Sequence, residues 1–172
     1  MHDDKDRPVT IKLLEISIAD LEVLAESGIP NSVASNSAGD ALPPAFVAQR
    51  ALGHLKTGKS PLWCSTYYIT RDSDGLVVGS CGFKDEPSNF CVEIGYGISP
   101  DCRKQGFATA AVGALLELAF TTADVREVLA QINPKNEASI RVAKKLGFEP
   151  SDKIVDSDNE TLVQWFARTH PV

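Results

Sequence analysis

The sequence lacks any long apolar run. No stretch approaches the roughly 20 apolar residues that a helix needs to cross a bilayer, so we expect no membrane-spanning segment and no membrane partner. The start, Met1 to Pro8 (MHDDKDRP), is charged from its third residue and has no apolar segment of the kind found in secretory signals. We therefore expect a cytoplasmic protein whose residues 1–8 are flexible.

Cysteine is sparse, and its spacing is not that of a metal or redox motif. The four cysteines, Cys64, Cys81, Cys91 and Cys102, include no C-x-x-C pair. This spacing argues against a zinc knuckle and against a redox dithiol. We expect free thiols, mostly buried as small hydrophobic side chains, and no bound metal.

An excess of positive charge is also missing. The chain has 17 Lys and Arg against 23 Asp and Glu, a net charge of -6 at pH 7. Because proteins hold nucleic acid by neutralising phosphates with Lys and Arg, this balance disfavours a nucleic-acid partner and suits a cationic ligand better. The length of 172 residues, 43% of them hydrophobic, fits one domain over 1–172.

The order of predicted elements indicates a layered α+β fold. A strand at 10–14 precedes a helix that begins at Asp20 as N-cap and ends near Gly28. The later elements are a helix at 45–56, strands at 63–70, 76–84 and 90–99, a helix at 107–120, a strand at 125–132, a helix at 136–146, and strands near 154 and at 161–166. We expect a mixed, mostly antiparallel central sheet with helices on both faces.

The segment 28–44 between the first two helices is rich in Gly, Pro, Ser and Asn. A loop of this length fits either a lid over a binding site or a connector without fixed structure, and the sequence leaves both open.

The most informative stretch is Arg103 to Thr109 (RKQGFAT), between a predicted strand and the helix at 107–120. A helix entered in this way directs unpaired backbone N–H groups and a partial positive charge outward, which suits an anion. Gly106 lets a diphosphate approach the backbone closely, and Arg103 and Lys104 add positive charge. Backbone amides at 105–107 are therefore predicted to bind phosphate.

Two nucleotide-binding motifs do not fit. Gly58 to Ser60 reads Gly-Lys-Ser but follows a helix and lacks the earlier glycine of a P-loop. Gly95 and Gly97 form a G-x-G inside a strand, with no third glycine in the place that a dinucleotide fold needs.

Three motifs resemble the GNAT family of N-acetyltransferases. Arg103, Gly106 and Ala108 resemble the family's R-x-x-G-x-A pyrophosphate loop. The stretch 133–148 (NPKNEASIRVAKKLGF) looks like the second half of the cofactor site in the RimJ/RimL-like branch, and the strand motif at 93–96 (EIGY) also matches that branch. The resemblance is strong over 76–148 and rests on element order alone in the first 60 residues.

This resemblance implies the GNAT (acyl-CoA N-acyltransferase) fold, acetyl-CoA as cosubstrate, and acetyl transfer to a primary amine. The strands at 93–99 and 125–132 are expected to splay apart around the pantetheine arm. The implied cofactor-binding residues are Ile98, Arg103, Lys104, Gln105, Gly106, Phe107, Ala108, Thr109, Asn133, Asn136 and Ser139. For Asn136, an ordinary role as helix N-cap stays open.

Glu93 is our first candidate for the catalytic base, directly or through a water, because the attacking amine must lose a proton. By strand alternation it shares a face with Gly95 and Gly97, where little bulk competes with a ligand. Backbone N–H groups near Gly97 and Ile98 are candidates to stabilise the carbonyl oxygen. A salt-bridging role for Glu93 on a solvated face stays open.

The sequence lacks the family's usual proton donor, since Ala143 stands where many relatives have Tyr. Ser139 and Tyr96 are the substitutes. No histidine has a neighbouring cysteine or carboxylate motif, so we expect direct transfer without an acyl-enzyme.

The position of Ala143 also keeps a second function open, an acyl-CoA-binding sensor or scaffold of weak or no activity. Two properties have no motif in the sequence: the acceptor, which could be a protein N-terminus or a small-molecule amine, and the choice between monomer and homodimer.

Overall fold

The computed structural model describes residues 8–169. We expected residues 1–8 to be flexible, and of these only Pro8 is among the described residues. The described elements are β1 (Ile11–Glu15), α1 (Ile18–Ala25), α2 (Ala45–Lys56), α3 (Pro61–Cys64), β2 (Thr66–Arg71), β3 (Val77–Phe83), β4 (Cys91–Ile98), a 3-10 turn (Pro100–Cys102), α4 (Phe107–Phe120), β5 (Glu127–Ile132), α5 (Glu137–Lys145), β6 (Glu149–Val155) and β7 (Thr161–Arg168).

The described strands form one sheet in the order β1-β2-β3-β4-β5-β7-β6. Every neighbouring pair is antiparallel except β4 and β5, which run parallel. This confirms the expected mixed, mostly antiparallel sheet. The parallel pair is also the shortest. Only residues 91–93 pair with residues 127–129 before the two strands separate.

Helices cover both faces of the sheet, as expected. Tyr68 and Ile69 are neighbours on β2, so their side chains point to opposite faces. Ile69 belongs to a core that includes Leu115 of α4 and Ala143 of α5. Tyr68 belongs to a second core with Leu21 of α1 and Ala51 of α2.

The predicted strand at 63–70 is wrong in its first part. Residues 61–64 form the short helix α3, and the strand begins at Thr66. Pro61 at its start has the backbone angle that a first helical turn needs. The turn also brings Trp63 against Phe83, with ring centroids 4.9 Å apart in an edge-to-face contact.

The N-cap of α1 is Ser17, which corrects the prediction of Asp20. The Ser17 hydroxyl accepts a hydrogen bond from the Asp20 backbone N–H. The Asp20 carboxylate instead accepts hydrogen bonds from the hydroxyls of Ser32 and Tyr68, at 2.5 and 3.2 Å. Asp20 therefore ties the loop after α1 to the sheet rather than capping the helix.

The segment 28–44 has little regular structure, as predicted, but it is fixed to the sheet. The Ala38 N–H donates to the Val77 carbonyl at 2.9 Å, and the Val77 N–H donates to the Asn36 carbonyl at 3.0 Å. Pro30 and Val33, both within this segment, are buried. These contacts favour a packed wall over a connector without fixed structure.

The four cysteines are free thiols, as predicted. Cys64, Cys81 and Cys102 are buried, whereas Cys91, in a predicted strand and expected to be buried, is only partly so. Within residues 8–169, no helix combines the length and apolar character required to traverse a bilayer.

Candidate active site

The separation of β4 from β5 opens a cavity of about 670 Å³. Residues 94–98 of β4 and 130–133 at the end of β5 form its two sides, and the N-terminal half of α2 and residues 40–44 add a further wall. The divergence of the two strands after residue 93 is what the splayed arrangement implied by the sequence requires.

At one end of the cavity, β4 leads through the turn at 100–102 to the start of α4. Gly106 is the N-cap of α4 with φ of 90°, and no side chain caps the helix. Lys104 also has a positive φ, 61°. A helix start with no side-chain cap leaves backbone N–H groups free for an anion.

The side chains around this helix start have different exposures. Phe107 is buried in the core, so its side chain is not available to a ligand. Lys104 and Gln105 are exposed, Ala108 and Thr109 are half-buried, and the Arg103 guanidinium contacts the Ile98 carbonyl at 3.4 Å. Ile98 and Arg103 both line the cavity, whereas the amides at 105–107 lie beyond its lining.

Asn133, Asn136 and Ser139 lie together at the same end of the cavity. The Asn136 side-chain oxygen accepts a hydrogen bond from the Ser139 N–H at 3.1 Å, and the Asn133 side-chain oxygen accepts one from the Lys135 N–H at 2.9 Å. The capping role of Asn136 is therefore present in the structure. Its position on the cavity wall keeps a cofactor role open as well.

The β4 side of the cavity contains Gly95 and Gly97. A Cβ placed on Gly97 would meet nothing within 4 Å, so the space beside it is open. The Ser99 N–H donates to the Val78 carbonyl, and the Lys84 N–H donates to the Glu93 carbonyl. By antiparallel alternation, the Gly97 N–H belongs to the ladder with β3, and the Ile98 N–H faces the opening. Of the two candidate amides, Ile98 has the free orientation.

Glu93 lies at the opposite end of β4, and its side chain is 24% exposed. One carboxylate oxygen accepts hydrogen bonds from the Lys84 ammonium at 2.6 Å and the Gln131 amide at 3.0 Å. Both partners line the cavity, but Glu93 does not. Glu93 therefore forms a salt bridge, which was the alternative to its role as a base. It lies next to the cavity, behind Lys84 and Gln131.

Tyr96 and Ser139 lie close to each other on the cavity wall. Burial raises the pKa of the Tyr96 phenol, and the neighbouring Ser139 hydroxyl opposes this shift. A phenol is protonated near neutral pH, as a proton donor must be, and the upward shift leaves it so while making it a weaker acid. Ala143 is buried in the core on α5 and offers the cavity no hydroxyl.

Cys81 also lines the cavity, opposite Tyr96 in the β3–β4 register. Burial raises the pKa of its thiol to about 12. Because the thiolate is the nucleophilic form, this cysteine is poorly suited to attack an acyl group at neutral pH.

The lining residues that the sequence interpretation missed include Phe46, Arg50, Lys84 and Gln131. Phe46 and Arg50 fall within the predicted helix at 45–56, but the buried side of α2 is Ala48, Ala51 and Leu52, so these two side chains are left to face the cavity. No motif marks either residue in the sequence. Lys84 and Gln131 carry no motif, since only the sheet register brings them to Glu93.

Comparison with known proteins gives one family. The model of the acetyltransferase (GNAT) domain matches residues 12–149. The chain is 32% identical over 89 residues to the uncharacterized N-acetyltransferase p20 of Bacillus licheniformis, covering 51% of this chain and 49% of that protein. It is 34% identical over 79 residues to the uncharacterized N-acetyltransferase YnaD of Bacillus subtilis, covering 46% of each. These matches span about half the length of the curated relatives.

Solved structures agree in fold. RimL, a ribosomal L7/L12 N-acetyltransferase in complex with coenzyme A, has a TM-score of 0.66 at 18% identity, covering 94% of this chain and 96% of its own. The aminoglycoside acetyltransferase AAC(6')-Ib in complex with coenzyme A has a TM-score of 0.65 at 19% identity, covering 92% of this chain and 95% of its own. A spermidine N-acetyltransferase chimera of SpeG from Vibrio cholerae and hSSAT has a TM-score of 0.65 at 12% identity, covering 92% of this chain and 95% of its own.

Proposed function

Because the chain belongs to the GNAT acetyltransferase family, we propose that it is an N-acetyltransferase that moves an acetyl group from acetyl-CoA to a primary amine by direct attack. The observation that carries the proposal is the opening between β4 and β5, which leads to a helix start that no side chain caps. We also propose the RimJ/RimL-like branch. That choice depends on the motifs at 93–96 and 133–148, since enzymes acting on other amines have the same fold.

The residues present fit coenzyme A. Gly106 has a φ that favours glycine, the space beside Gly97 is open, and Arg103 lies where the cavity approaches α4. In our proposal the amides at 105–107, with Arg103 and Lys104, hold the diphosphate, and Asn133, Asn136 and Ser139 contact the adjoining part. The small side chain of Ala108 lets the cofactor approach the first turn of α4 closely, and Thr109 is a further cofactor contact in the same turn. Bound acetyl-CoA supplies an activated acetyl thioester.

Glu93 acts in this proposal as the base that takes a proton from the acceptor amine. Its ion pair with Lys84 and its hydrogen bond from Gln131 both use the same carboxylate oxygen. The other oxygen is left to accept a proton. Because Glu93 lies behind the cavity lining, a water between the amine and the carboxylate fits better than direct contact.

The Ile98 N–H stabilises the negative charge that develops on the acetyl carbonyl oxygen, because it faces the opening rather than β3. The hydroxyls of Tyr96 and Ser139 provide the proton that the departing thiolate takes up. Tyr96 is the better donor, since a phenol is a stronger acid than the Ser139 hydroxyl even where burial raises the phenol's pKa. The raised pKa of Cys81 supports direct transfer over a cysteine acyl-enzyme.

A second function has one observation in its favour. Ala143 is buried in the core, so α5 lacks the hydroxyl that many relatives have at this position. A protein that binds acyl-CoA as a sensor or scaffold needs no proton donor. Such a protein would bind coenzyme A and leave its thioester intact.

The deciding experiment measures thiol release from acetyl-CoA with a panel of amines and N-terminal peptides, beside calorimetry with coenzyme A. Binding together with acceptor-dependent thiol release supports the acetyltransferase. Binding without release from any acceptor supports the sensor. No heat on mixing with coenzyme A contradicts both.

A cytoplasmic location is part of the proposal, because free cysteines are typical of a reducing compartment. The oligomeric state stays a choice between monomer and homodimer. Among the described strands, β1 and β6 are the edges that could pair with a second copy.

A further inference from the structure

Arg50 is a half-buried cation that lines the cavity without a partner of its own. Within residues 8–169 its guanidinium takes part in no hydrogen bond and no ion pair. Burial lowers the pKa of Arg50, and attraction from Glu93 and Asp85 opposes the shift. Because burying a charge without a partner costs free energy, a binding role is the natural explanation for this residue.

The carboxylates near Arg50 are already paired with other cations. The Lys84 ammonium contacts Glu93 at 2.6 Å, and the Lys59 ammonium contacts Asp85 at 2.8 Å. Among the described cations at this end of the cavity, Arg50 is therefore the one without a paired carboxylate. The acidic balance of the whole chain does not extend to this local site.

Arg50 lies far from the helix start that is suited to phosphate. The charges that act on it, Glu93 and Asp85, are at the beginning of β4 and just after β3. Glu93 and Ile98 are five residues apart, so at about 3.3 Å per residue roughly 17 Å of strand separates the two ends. Arg50 is thus unsuited to the diphosphate, which Arg103 already serves.

Among residues 8–169, Asp40 is the one acidic residue that lines the cavity, and it lies elsewhere. It follows Gly39, whose carbonyl accepts a hydrogen bond from the Ser99 hydroxyl at 2.5 Å. Ser99 comes directly after β4, at the end away from Glu93. Asp40 is therefore not placed to pair with Arg50.

From this placement we infer that the acceptor carries an anionic group, a carboxylate or a similar oxyanion, and that Arg50 binds it. The inference rests on the proposed function. The planar fork of an arginine fits the two oxygens of a carboxylate. The amine of the same acceptor then lies on the Glu93 side, so cation and base select a molecule with both groups.

Phe46 supplies an apolar contact for the rest of the acceptor. It is four residues before Arg50 on α2, which puts the two side chains on one helix face. Phe46 also lines the cavity and is 65% exposed, so its ring is accessible to a ligand.

The test compares the standard α-amino acids with their amides and decarboxylated amines as acceptors, in the wild type and in Arg50→Gln. We expect the wild type to prefer the amino acids. In Arg50→Gln the KM for amino acids should rise about tenfold, the equivalent of 1.4 kcal/mol, while the KM for amides changes less than about twofold. Arg50→Lys should recover part of the loss. Lys56→Gln, at an exposed residue of the same helix, is the matched control and should behave as wild type.

Peptides beginning Asp-Ala-Ala and Asn-Ala-Ala distinguish a small acceptor from an acidic protein N-terminus. A response to Arg50→Gln only with the Asp peptide would assign the anion to a protein side chain. Equal losses for charged and neutral acceptors would show that Arg50 acts through Glu93, and would overturn the inference while leaving acetyl transfer intact.

Binding is measured if no acceptor turns over. Amino acids are then titrated into the wild type and Arg50→Gln with coenzyme A bound. The absence of Arg50-dependent binding overturns the inference, and the absence of coenzyme A binding overturns the proposed function with it.

Discussion

The two ends of the cavity are built in different ways. Just beyond the lining, the end at α4 continues into backbone, the amides at 105–107 and a glycine with φ of 90°. The other end is lined by the side chains of Arg50, Lys84 and Gln131, and Glu93 lies behind Lys84 and Gln131. The first end depends on one short stretch of sequence, and the second depends on the register of the whole sheet.

The difference matters for recognition. A backbone site binds a group that every reaction of the family shares, the diphosphate of coenzyme A, and needs few fixed side chains. A side-chain site can change by single substitutions and so can choose an acceptor. We therefore expect substitutions at the two ends to separate cofactor affinity from turnover.

The largest effect should come from Glu93→Gln. The amide can still accept hydrogen bonds from Lys84 and Gln131, so the local geometry should hold, but it is no longer a base. We expect kcat to fall about 10²- to 10⁴-fold, the usual contribution of a general base. Steady-state kinetics and calorimetry with coenzyme A on the same sample measure the two ends separately.

The matched control is Glu137→Gln, which removes a carboxylate from an exposed position on α5. It should leave kcat and coenzyme A affinity unchanged. A Glu93→Gln variant with wild-type kcat would assign Glu93 to the ion pair alone.

Gly106→Val should weaken the backbone end without changing the side-chain end. A branched side chain at φ of 90° is strained by roughly 1–3 kcal/mol, and its Cβ would also lie 3.4 Å from the Val9 side chain. Relief of that strain moves the amides out of position. We expect the dissociation constant of coenzyme A to rise by about tenfold or more, since each 1.4 kcal/mol is a factor of ten.

Gly113→Ala is the control for Gly106→Val, because it changes a glycine inside the same helix. A Cβ there has Leu146 at 3.9 Å as its nearest neighbour, which is an ordinary contact. We expect coenzyme A affinity to stay the same and stability to rise by about 0.5–1 kcal/mol. Equal losses of affinity in both variants would contradict a specific role for Gly106.

Between the two ends lies Cys81, which should make the protein unstable in alkali. The folded pKa is about 12, whereas an unfolded thiol titrates near about 8.5. As pH rises between these values, the unfolded chain releases its proton first, so stability falls. The loss from Cys81 alone is on the order of 2 kcal/mol at pH 10.

Urea denaturation at pH 8 and pH 10 measures this loss. Cys81→Ala should be less stable at pH 8, because it leaves a small gap in the core, but its stability should fall less between the two pH values. Buried tyrosines such as Tyr68 also have a raised pKa, so some of the slope should remain. Identical slopes in wild type and variant would contradict the assignment.

The long elements could be predicted from the sequence because their patterns are local. The bounds of α2 and α4 agree with the predictions at 45–56 and 107–120. The short helix α3 could not be predicted, since four residues give no helical period and Trp63 and Cys64 are also common in strands. Asp20 was mistaken for a cap because two suitable residues, Ser17 and Asp20, stand three apart.

In the site, too, the part with a local sequence motif could be predicted and the part that depends on tertiary contacts could not. The motif at 103–109 marks the backbone end, because the glycine and the helix start are adjacent in sequence. The role of Arg50 could not be predicted, since it depends on Lys59 and Lys84 having already paired with the nearby carboxylates. Pairing of that kind is a property of three-dimensional arrangement, and no spacing encodes it.

The smallest predicted effect concerns Asn136, which has a capping role and a place on the cavity wall. Asn136→Ser keeps an N-cap oxygen but removes the amide, whereas Asn136→Ala removes both. We expect the Ala variant to lose about 1 kcal/mol of stability and the Ser variant to lose little. If the amide contacts coenzyme A, both variants should bind it a few-fold more weakly by calorimetry. Wild-type affinity in the Ser variant would make Asn136 a cap alone, and the cofactor end would then depend on the backbone even more than its geometry suggests.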